Sequence, residues 1–140
     1  MKALGIRPAL TPKTWPLIER WVMDALAEGK ADIAPQTVRA HLERGSMQLW
    51  LAWDGKKAQG CCITEFANSV RGKCCNLVVV AGLNFRKWRR LIETIKTWAR
   101  ENGCVRLEAG GREGWQRSVK SDGWRKVRTI IEMRLDGDGI

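Results

Sequence analysis

The chain has 140 residues, of which 44% are hydrophobic and 29% charged, a composition that favours one folded domain and excludes a compositionally disordered chain. Lysine and arginine outnumber aspartate and glutamate by 25 to 15, which gives a formal net charge of +10. Such a charge favours nucleic acid or other anionic partners, or else it is a solvated basic surface that only keeps the protein soluble.

The sequence carries no pattern of a secreted or membrane protein. The first ten residues, MKALGIRPAL, lack the apolar core of a secretory signal. The longest apolar run, residues 77–83, is too short to cross a bilayer. We therefore expect an intracellular protein that does not associate with membranes.

Four of the five cysteines form two adjacent pairs, Cys61 with Cys62 and Cys74 with Cys75. Neighbouring residues of a strand point to opposite faces, so neither pair is able to chelate one metal ion. The sequence therefore predicts reduced thiols in a reducing compartment and no metal site.

Hydrophobic periodicity predicts one domain over residues 1–135 and a flexible tail at 136–140. The turn signal Asp54-Gly55 predicts a hairpin between two of its strands. The predicted elements, in chain order, are a strand at 3–10, helices at 15–27 and 35–44, strands at 47–53, 58–66 and 74–81, a helix at 84–103, a strand at 104–109, a helix at about 113–120 and a strand at 125–135.

The helix predicted at residues 84–103 is the strongest signal. Its apolar residues fall at helical spacing, and charged residues occupy the opposite side. The apolar stripe consists of Trp88, Leu91, Ile92, Ile95, Trp98 and Ala99. Because the apolar run at 74–81 precedes it and residues 104–109 follow it, the sequence predicts a β-α-β unit within a larger sheet.

This element order resembles the GNAT N-acetyltransferase fold over nearly the whole chain. The local similarities are IRPA at residues 6–9, WARENG at 98–103 and SDGW at 121–124. The resemblance implies an α/β (α+β) fold with a mixed, strongly twisted central sheet of about six strands, flanked by three to four helices.

The resemblance also implies a binding loop for the pyrophosphate of acetyl-CoA, with the pattern Gln/Arg-x-x-Gly-x-Gly/Ala at the start of the central helix. Here the first position falls on Leu83, and the two small positions fall on Arg86 and Trp88. Side chains at those positions crowd the backbone that glycine leaves open to phosphate.

The general acid of the resembled family is a tyrosine four residues before a late glycine. That position is Val119 here, and the chain has no tyrosine. Glu65 and Glu108 are weak candidates for a catalytic base, and each is alternatively an ordinary strand residue.

Arg86, Lys87, Arg89 and Arg90 crowd the N-terminal end of the central helix, where the macrodipole is already positive. A bound anion would relieve this repulsion, although side chains that reach into water relieve it as well. If CoA or another anion binds, we expect the binding residues to be Val80, Arg86, Lys87, Trp88, Arg89 and Arg90.

The glycine-poor helix start, FRKWRRLI, and the motif GREGW ending at Trp115 are similar to divergent GNAT-like proteins of tailed bacteriophages and prophages. The leading hypothesis is therefore a non-catalytic, virion-associated or binding module without a cofactor, located in the host cytoplasm or the virion. Its partner would be a phage protein, or DNA bound by non-specific electrostatics. The alternative is an acetyl-CoA-dependent N-acyltransferase. A sequence-specific DNA reader ranks last, because no helix-turn-helix or zinc signature is present.

Overall fold

The structure is a computed structural model that describes residues 1–83, 91–110 and 123–136. By its contacts the chain divides into two units, Met1–Gly110 and Gly111–Ile140, and all regular elements described lie in the first. In chain order they are β1 (Lys2–Ile6), a 3-10 turn (Pro8–Leu10), α1 (Thr11–Glu28), α2 (Pro35–Glu43), β2 (Gln48–Trp53), β3 (Ala58–Ala67), β4 (Cys74–Gly82), α3 (Ile92–Glu101) and β5 (Arg106–Ala109).

The sheet is mixed, as the sequence predicts. Its strands follow the order β1-β2-β3-β4-β5. The first four strands pair antiparallel with their neighbours, whereas β4 and β5 pair parallel. The parallel pair is the β-α-β unit expected around the central helix, because α3 lies between β4 and β5 in the chain.

One face of the sheet carries α1 and α2. Alternate residues of the strands on this face, such as Leu49, Ile63 and Val79, join one apolar core with Trp15 and Val22 of α1. All five are at most 2% exposed. The apolar residues that the first half of the chain places at helical spacing in α1 and at alternate positions in the strands are therefore buried together in one core, as predicted.

The other face carries α3, and the described part of its predicted stripe is confirmed. Ile92, Ile95 and Ala99 are buried. The ring of Trp98 stacks on Phe66 of β3 with centroids 4.8 Å apart, and meets the edge of Trp50 of β2 at 5.0 Å. Both faces of the sheet are therefore covered within the first unit.

The second unit corrects one expectation. Residues 125–135 form no helix or strand, although their alternation predicts a strand. Alternation supplies only a suitable side-chain pattern, and a strand exists only when a neighbouring backbone accepts its hydrogen bonds. The helix predicted at 113–120 and most of the predicted tail lie outside the described residues. The prediction of a single domain over 1–135 stays a prediction.

No helix within the described ranges combines the length and hydrophobicity needed to span a bilayer.

Candidate functional site

Strand β4 extends beyond its partner β5. The parallel pairing begins at Cys74 opposite Arg106 and ends at Leu77 opposite Ala109, whereas β4 continues to Gly82. Residues 78–82 are here called the open segment, and of these residues 79–82 still pair with β3 on one side. On the other side no strand among residues 1–83, 91–110 and 123–136 pairs with them.

A β-bulge marks the start of the open segment. Strand β3 pairs Thr64 with Leu77 but the adjacent Ile63 with Val79, so Val78 is an extra residue in β4. A bulge bends its strand and increases the local twist. The bulge also changes the face of the sheet to which the next side chain of the alternation points. Leu77 lies opposite Thr64, whose hydroxyl accepts a hydrogen bond from Trp50 on the α3 side. Val79, two residues later, packs in the core on the α1 side.

The open segment ends at Gly82, which is held against β3. Gly82 has a φ of 131°, and a Cβ there would lie 2.3 Å from the Cα of Gly60 and 2.6 Å from the carbonyl oxygen of Gln59. The next residue, Leu83, donates its backbone N–H to the same carbonyl oxygen at 2.7 Å. Only glycine fits this close approach, which fixes the direction in which the chain leaves the sheet.

Of the predicted binding residues, only Val80 is described. It is half-buried in the open segment, opposite Cys62 of β3. The other five, Arg86, Lys87, Trp88, Arg89 and Arg90, lie outside the described residues. The first described residues of the central helix, Leu91 and Ile92, line a small apolar cavity with Trp50 and Cys62.

Glu65 and Glu108, the two candidate bases, lie in one row across the sheet. Glu65 of β3 and Glu108 of β5 are both register partners of Asn76 in β4. Side chains that are directly opposite in neighbouring strands point to the same face. Asn76 precedes the bulge by two residues, so the row borders the point where the pairing with β5 ends.

The two carboxylates differ in their contacts. Glu108 receives Arg106 Nε at 3.0 Å and Arg71 Nη1 at 3.8 Å, and its second oxygen accepts the thiol of Cys74 at 3.9 Å. Arg106 also donates to the carbonyl oxygens of Arg71 and Gly72 at 3.3 and 3.2 Å. Glu108 is thus part of a link between the β3–β4 hairpin and β5.

Glu65 has no such partners. It is half-buried, and the structure records neither a hydrogen bond nor an ion pair between its carboxylate and any other described residue. A carboxylate without a partner is able to accept a proton from a ligand, whereas one held by two guanidinium groups is a poor base. Of the two candidates, Glu65 is the one whose contacts suit a base.

The five cysteines all carry free thiols. Burial raises the pKa of Cys61 and of Cys75 to about 12, and raises the pKa of Cys62 as well. The pKa of the more exposed Cys104 is also raised, again mainly by desolvation. Thiols with a raised pKa are poor nucleophiles at neutral pH. The part of the chain that the structure describes holds no group of three or more His, Cys, Asp or Glu side chains arranged for a metal ion.

The open segment, and the position of Asn76 between Glu65 and Glu108, follow from the strand pairing and not from any sequence motif. The apolar run at 74–81 contains three valines in succession, so no polar residue marks the bulge. Gly82 was the available signal, since a glycine at the end of a strand often marks close backbone approach.

Solved structures share this arrangement of strands and helices. One is described as a probable acetyltransferase, with a TM-score of 0.67 and 17% identity over 96% of this chain and 97% of that chain. Another is the ribosomal-protein-alanine N-acetyltransferase of Brucella melitensis biovar Abortus 2308, with a TM-score of 0.67 and 10% identity over 96% and 100% of the two chains. A third is the aminoglycoside N-acetyltransferase AAC(6')-Iy in complex with CoA, with a TM-score of 0.70 and 14% identity over 96% and 94%.

Sequence comparison adds no closer relative: no family model and no curated protein matches this chain. The structural matches cover nearly the full length of both chains, so the similarity extends to the whole fold and not to one motif. The chain therefore has the fold of the GNAT acetyltransferases.

Proposed function

We propose that this protein binds an acyl-CoA along the open segment of β4 and transfers the acyl group to an amine. The observation that carries the proposal is the backbone of residues 78–82. Residues 79–82 pair with β3 on one side, and the segment has no strand partner among the described residues on the other. The pantetheine arm of CoA contains two amide groups, which are able to hydrogen-bond to a strand edge as an added strand does.

The side chains of the open segment suit this arm. Residues 78–82 are three valines, an alanine and a glycine, so no charged group has to be desolvated when the arm lies along them. In the AAC(6')-Iy structure, a protein of the same fold is in complex with CoA. A backbone edge without charged side chains supports binding of the neutral arm, and the phosphates require cations from elsewhere in the chain.

A CoA thioester supplies an acyl group to the amine: the C–N bond forms, the C–S bond breaks and the sulfur leaves as a thiolate. In this proposal Glu65 accepts the proton that the amine loses, because its carboxylate has no partner among the described residues. The chain has no tyrosine to protonate the sulfur. Since a thiol has a pKa of about 8.5, the thiolate is stable enough to leave and take its proton from water.

The test of binding is residue-resolved. We expect acetyl-CoA, added in NMR titration to the labelled protein, to shift the backbone amide resonances of residues 78–82. The amides of residues 48–53 in β2, which has strand partners on both sides, are the internal control and should shift little. Saturating acetyl-CoA without a shift at 78–82 would contradict the proposal.

The test of catalysis is release of the CoA thiol in the presence of an amine. The names of the structural matches suggest two acceptor classes to try first, an aminoglycoside and a protein N-terminus that begins with alanine. We expect thiol release that depends on both substrates. Binding of acetyl-CoA without acyl transfer to either class would restrict the proposal to its binding part.

A second candidate is a non-catalytic module of a phage or prophage particle that binds a protein or DNA. The observation that favours it is the engagement of Glu108 by two arginines, which leaves Glu65 as the one candidate base with free oxygens. The net charge of +10 suits DNA. This function would be supported instead if the protein does not bind acetyl-CoA and binds DNA independently of its sequence, with an affinity that falls as the salt concentration rises.

A further inference from the structure

At one end of the sheet, the hairpin between β2 and β3 carries two adjacent lysines, Lys56 and Lys57. Lys2 of β1 lies at the same end, since it pairs with Trp53 at the end of β2. The open segment also ends here, because Gly82 pairs with Gly60 near the start of β3. Three lysine residues are therefore placed at the end of the sheet towards which residues 78–82 run.

The one carboxylate of this hairpin does not neutralise the lysines. Asp54 uses one oxygen to accept the backbone N–H groups of Lys56 at 2.8 Å and of Lys57 at 2.9 Å. Its other oxygen accepts the side-chain amide of Gln59 at 2.7 Å. Neither lysine ammonium forms an ion pair with Asp54 or with any other described carboxylate, although the charge of Lys57 acts weakly on Asp54.

Four cations of the helices and strands are paired instead. Arg20, Arg39, Lys96 and Arg106 each have a carboxylate within 4 Å, at Asp24, Glu43, Glu93 and Glu108. The ammonium groups of Lys56 and Lys57 are not engaged by a described carboxylate, so they are able to bind an anionic ligand. Their long side chains in water are free to move towards it.

The hairpin is joined to the open segment by direct hydrogen bonds. The carbonyl oxygen of Gln59 accepts the backbone N–H of Leu83 at 2.7 Å, while the Gln59 side chain donates to Asp54. Asp54 in turn holds the backbone of both lysines. A ligand that lies along residues 78–82 and extends past Gly82 therefore emerges beside a hairpin whose backbone is fixed.

We propose that Lys56 and Lys57 bind the phosphate groups of the CoA nucleotide. The inference rests on the proposed binding of an acyl-CoA along the open segment and adds the recognition of its anionic end. The ligand's neutral arm would lie on the apolar edge of β4, and its phosphates would lie at the end of the sheet, where the unpaired ammonium groups are. Lysine is suited to this contact, because it binds phosphate as a mobile point charge.

The test compares two ligands and two charge-matched variants. The ligands are CoA and pantetheine, which has the same arm without phosphates, and their Kd values are measured by calorimetry at about 50 mM salt. The test variant is Lys56→Gln/Lys57→Gln. The control is Lys13→Gln/Lys30→Gln, which removes the same charge from both ends of α1, where these lysines are exposed and have no recorded ion pair.

We expect the hairpin variant to raise the Kd for CoA roughly five- to tenfold, as two exposed charge contacts would. Its Kd for pantetheine should not change, and the control should leave both values unchanged. At about 200 mM salt the difference between wild type and the hairpin variant should shrink. Equal melting temperatures of the three proteins check that these exposed substitutions leave the fold intact.

Four results would overturn the inference. An unchanged Kd for CoA in the hairpin variant would show that the lysines do not contact the phosphates. An equal loss in the control would show an effect of net charge alone. A wild type that binds pantetheine as tightly as CoA would show that the phosphates are not recognised, although the proposed function would stand. Binding of neither ligand would remove the proposed function, and this inference with it.

Discussion

Gly82 and Gly60 approach each other so closely that a Cβ on Gly82 would lie 2.3 Å from the Cα of Gly60. This contact holds the end of the open segment against β3, and the φ of 131° at Gly82 is accessible to glycine alone without strain. The contact thus connects a single residue of the sequence with the geometry of the candidate site.

Replacement of Gly82 by alanine should therefore be costly. We expect Gly82→Ala to lower the free energy of unfolding by more than about 3 kcal/mol, since it adds backbone strain to a collision with backbone atoms that are unable to move aside. Gly103→Ala is the matched control, because Gly103 also has a positive φ, of 84°, but no atom within 4 Å of its Cβ position. The control should lose only about 1–2 kcal/mol in urea denaturation. Equal losses in the two variants would contradict the close approach.

The stacking of Trp98 on Phe66 predicts a second loss of stability. Trp98→Ala removes a ring that contacts both Phe66 and Trp50, so we expect a loss of about 3 kcal/mol in the free energy of unfolding. Thr97→Ala, on the exposed side of α3, is the control and should change stability by less than about 0.5 kcal/mol. A loss below about 1 kcal/mol for Trp98→Ala would mean that the helix does not pack as described.

The sequence predicts the elements of the first unit well, and for a physical reason. Helical spacing in α1 and α3 and alternation in β2 are local patterns, and the same residues, such as Trp15 and Leu49, are buried in the structure. The site depends on non-local features. The row of Glu65, Asn76 and Glu108 requires the registers of three strands, and alternation within one strand does not specify register between strands.

The bulge at Val78 illustrates the same limit. Because valine occupies three successive positions, the two faces of the strand both carry apolar side chains whether or not a bulge is present. The sequence therefore does not indicate the bulge. Residues 125–135 show the opposite case, where a clear alternation is not accompanied by a strand among the described residues. Local patterns therefore indicate which segments are able to form strands, whereas partner strands decide whether they do.

Asp54 predicts a dependence of stability on acid pH. Hydrogen bonds from the backbones of Lys57 and Lys56, then from the Gln59 side chain, lower the pKa of Asp54 from 3.8 to about 2 in the folded protein. A group whose pKa is lower in the folded state than in the unfolded state binds more protons when the protein is unfolded. Its contribution to stability is therefore complete above the pKa of the unfolded state, and it is lost as the pH falls through the pKa of the folded state. We expect the urea midpoint of wild type to fall relative to that of Asp54→Asn between about pH 5 and pH 2. Asp32→Asn, at an exposed carboxylate without a recorded hydrogen bond, is the control for the loss of one negative charge.

Glu108 should prove structural. Glu108→Gln removes the charge that Arg106 and Arg71 share, while keeping the size of the side chain. Because Glu108 and Arg106 are about one-fifth exposed, at 20% and 19%, we expect a moderate loss of about 1–2 kcal/mol in the free energy of unfolding. The loss of stability caused by Glu108→Gln should be smaller in a protein that already carries Arg106→Gln, because the nearer arginine partner of Glu108 is then absent. A double-mutant cycle in urea denaturation measures this coupling between the two residues. Strictly additive losses would mean that the pair does not interact in solution.

Glu65 should prove catalytic, with the opposite set of results. If Glu65 accepts the proton of the amine, Glu65→Gln should lower kcat for acyl transfer by about 10²–10⁴-fold, which is the usual contribution of a general base. The Kd for acetyl-CoA should not change, because the open segment offers the ligand its backbone and Glu65 lies on the far side of the bulge from Gly82. Glu108→Gln, assayed below its unfolding transition, is the control and should keep most of its activity. A Glu65→Gln protein with wild-type kcat would exclude Glu65 as the base and leave transfer to depend on positioning of the two substrates.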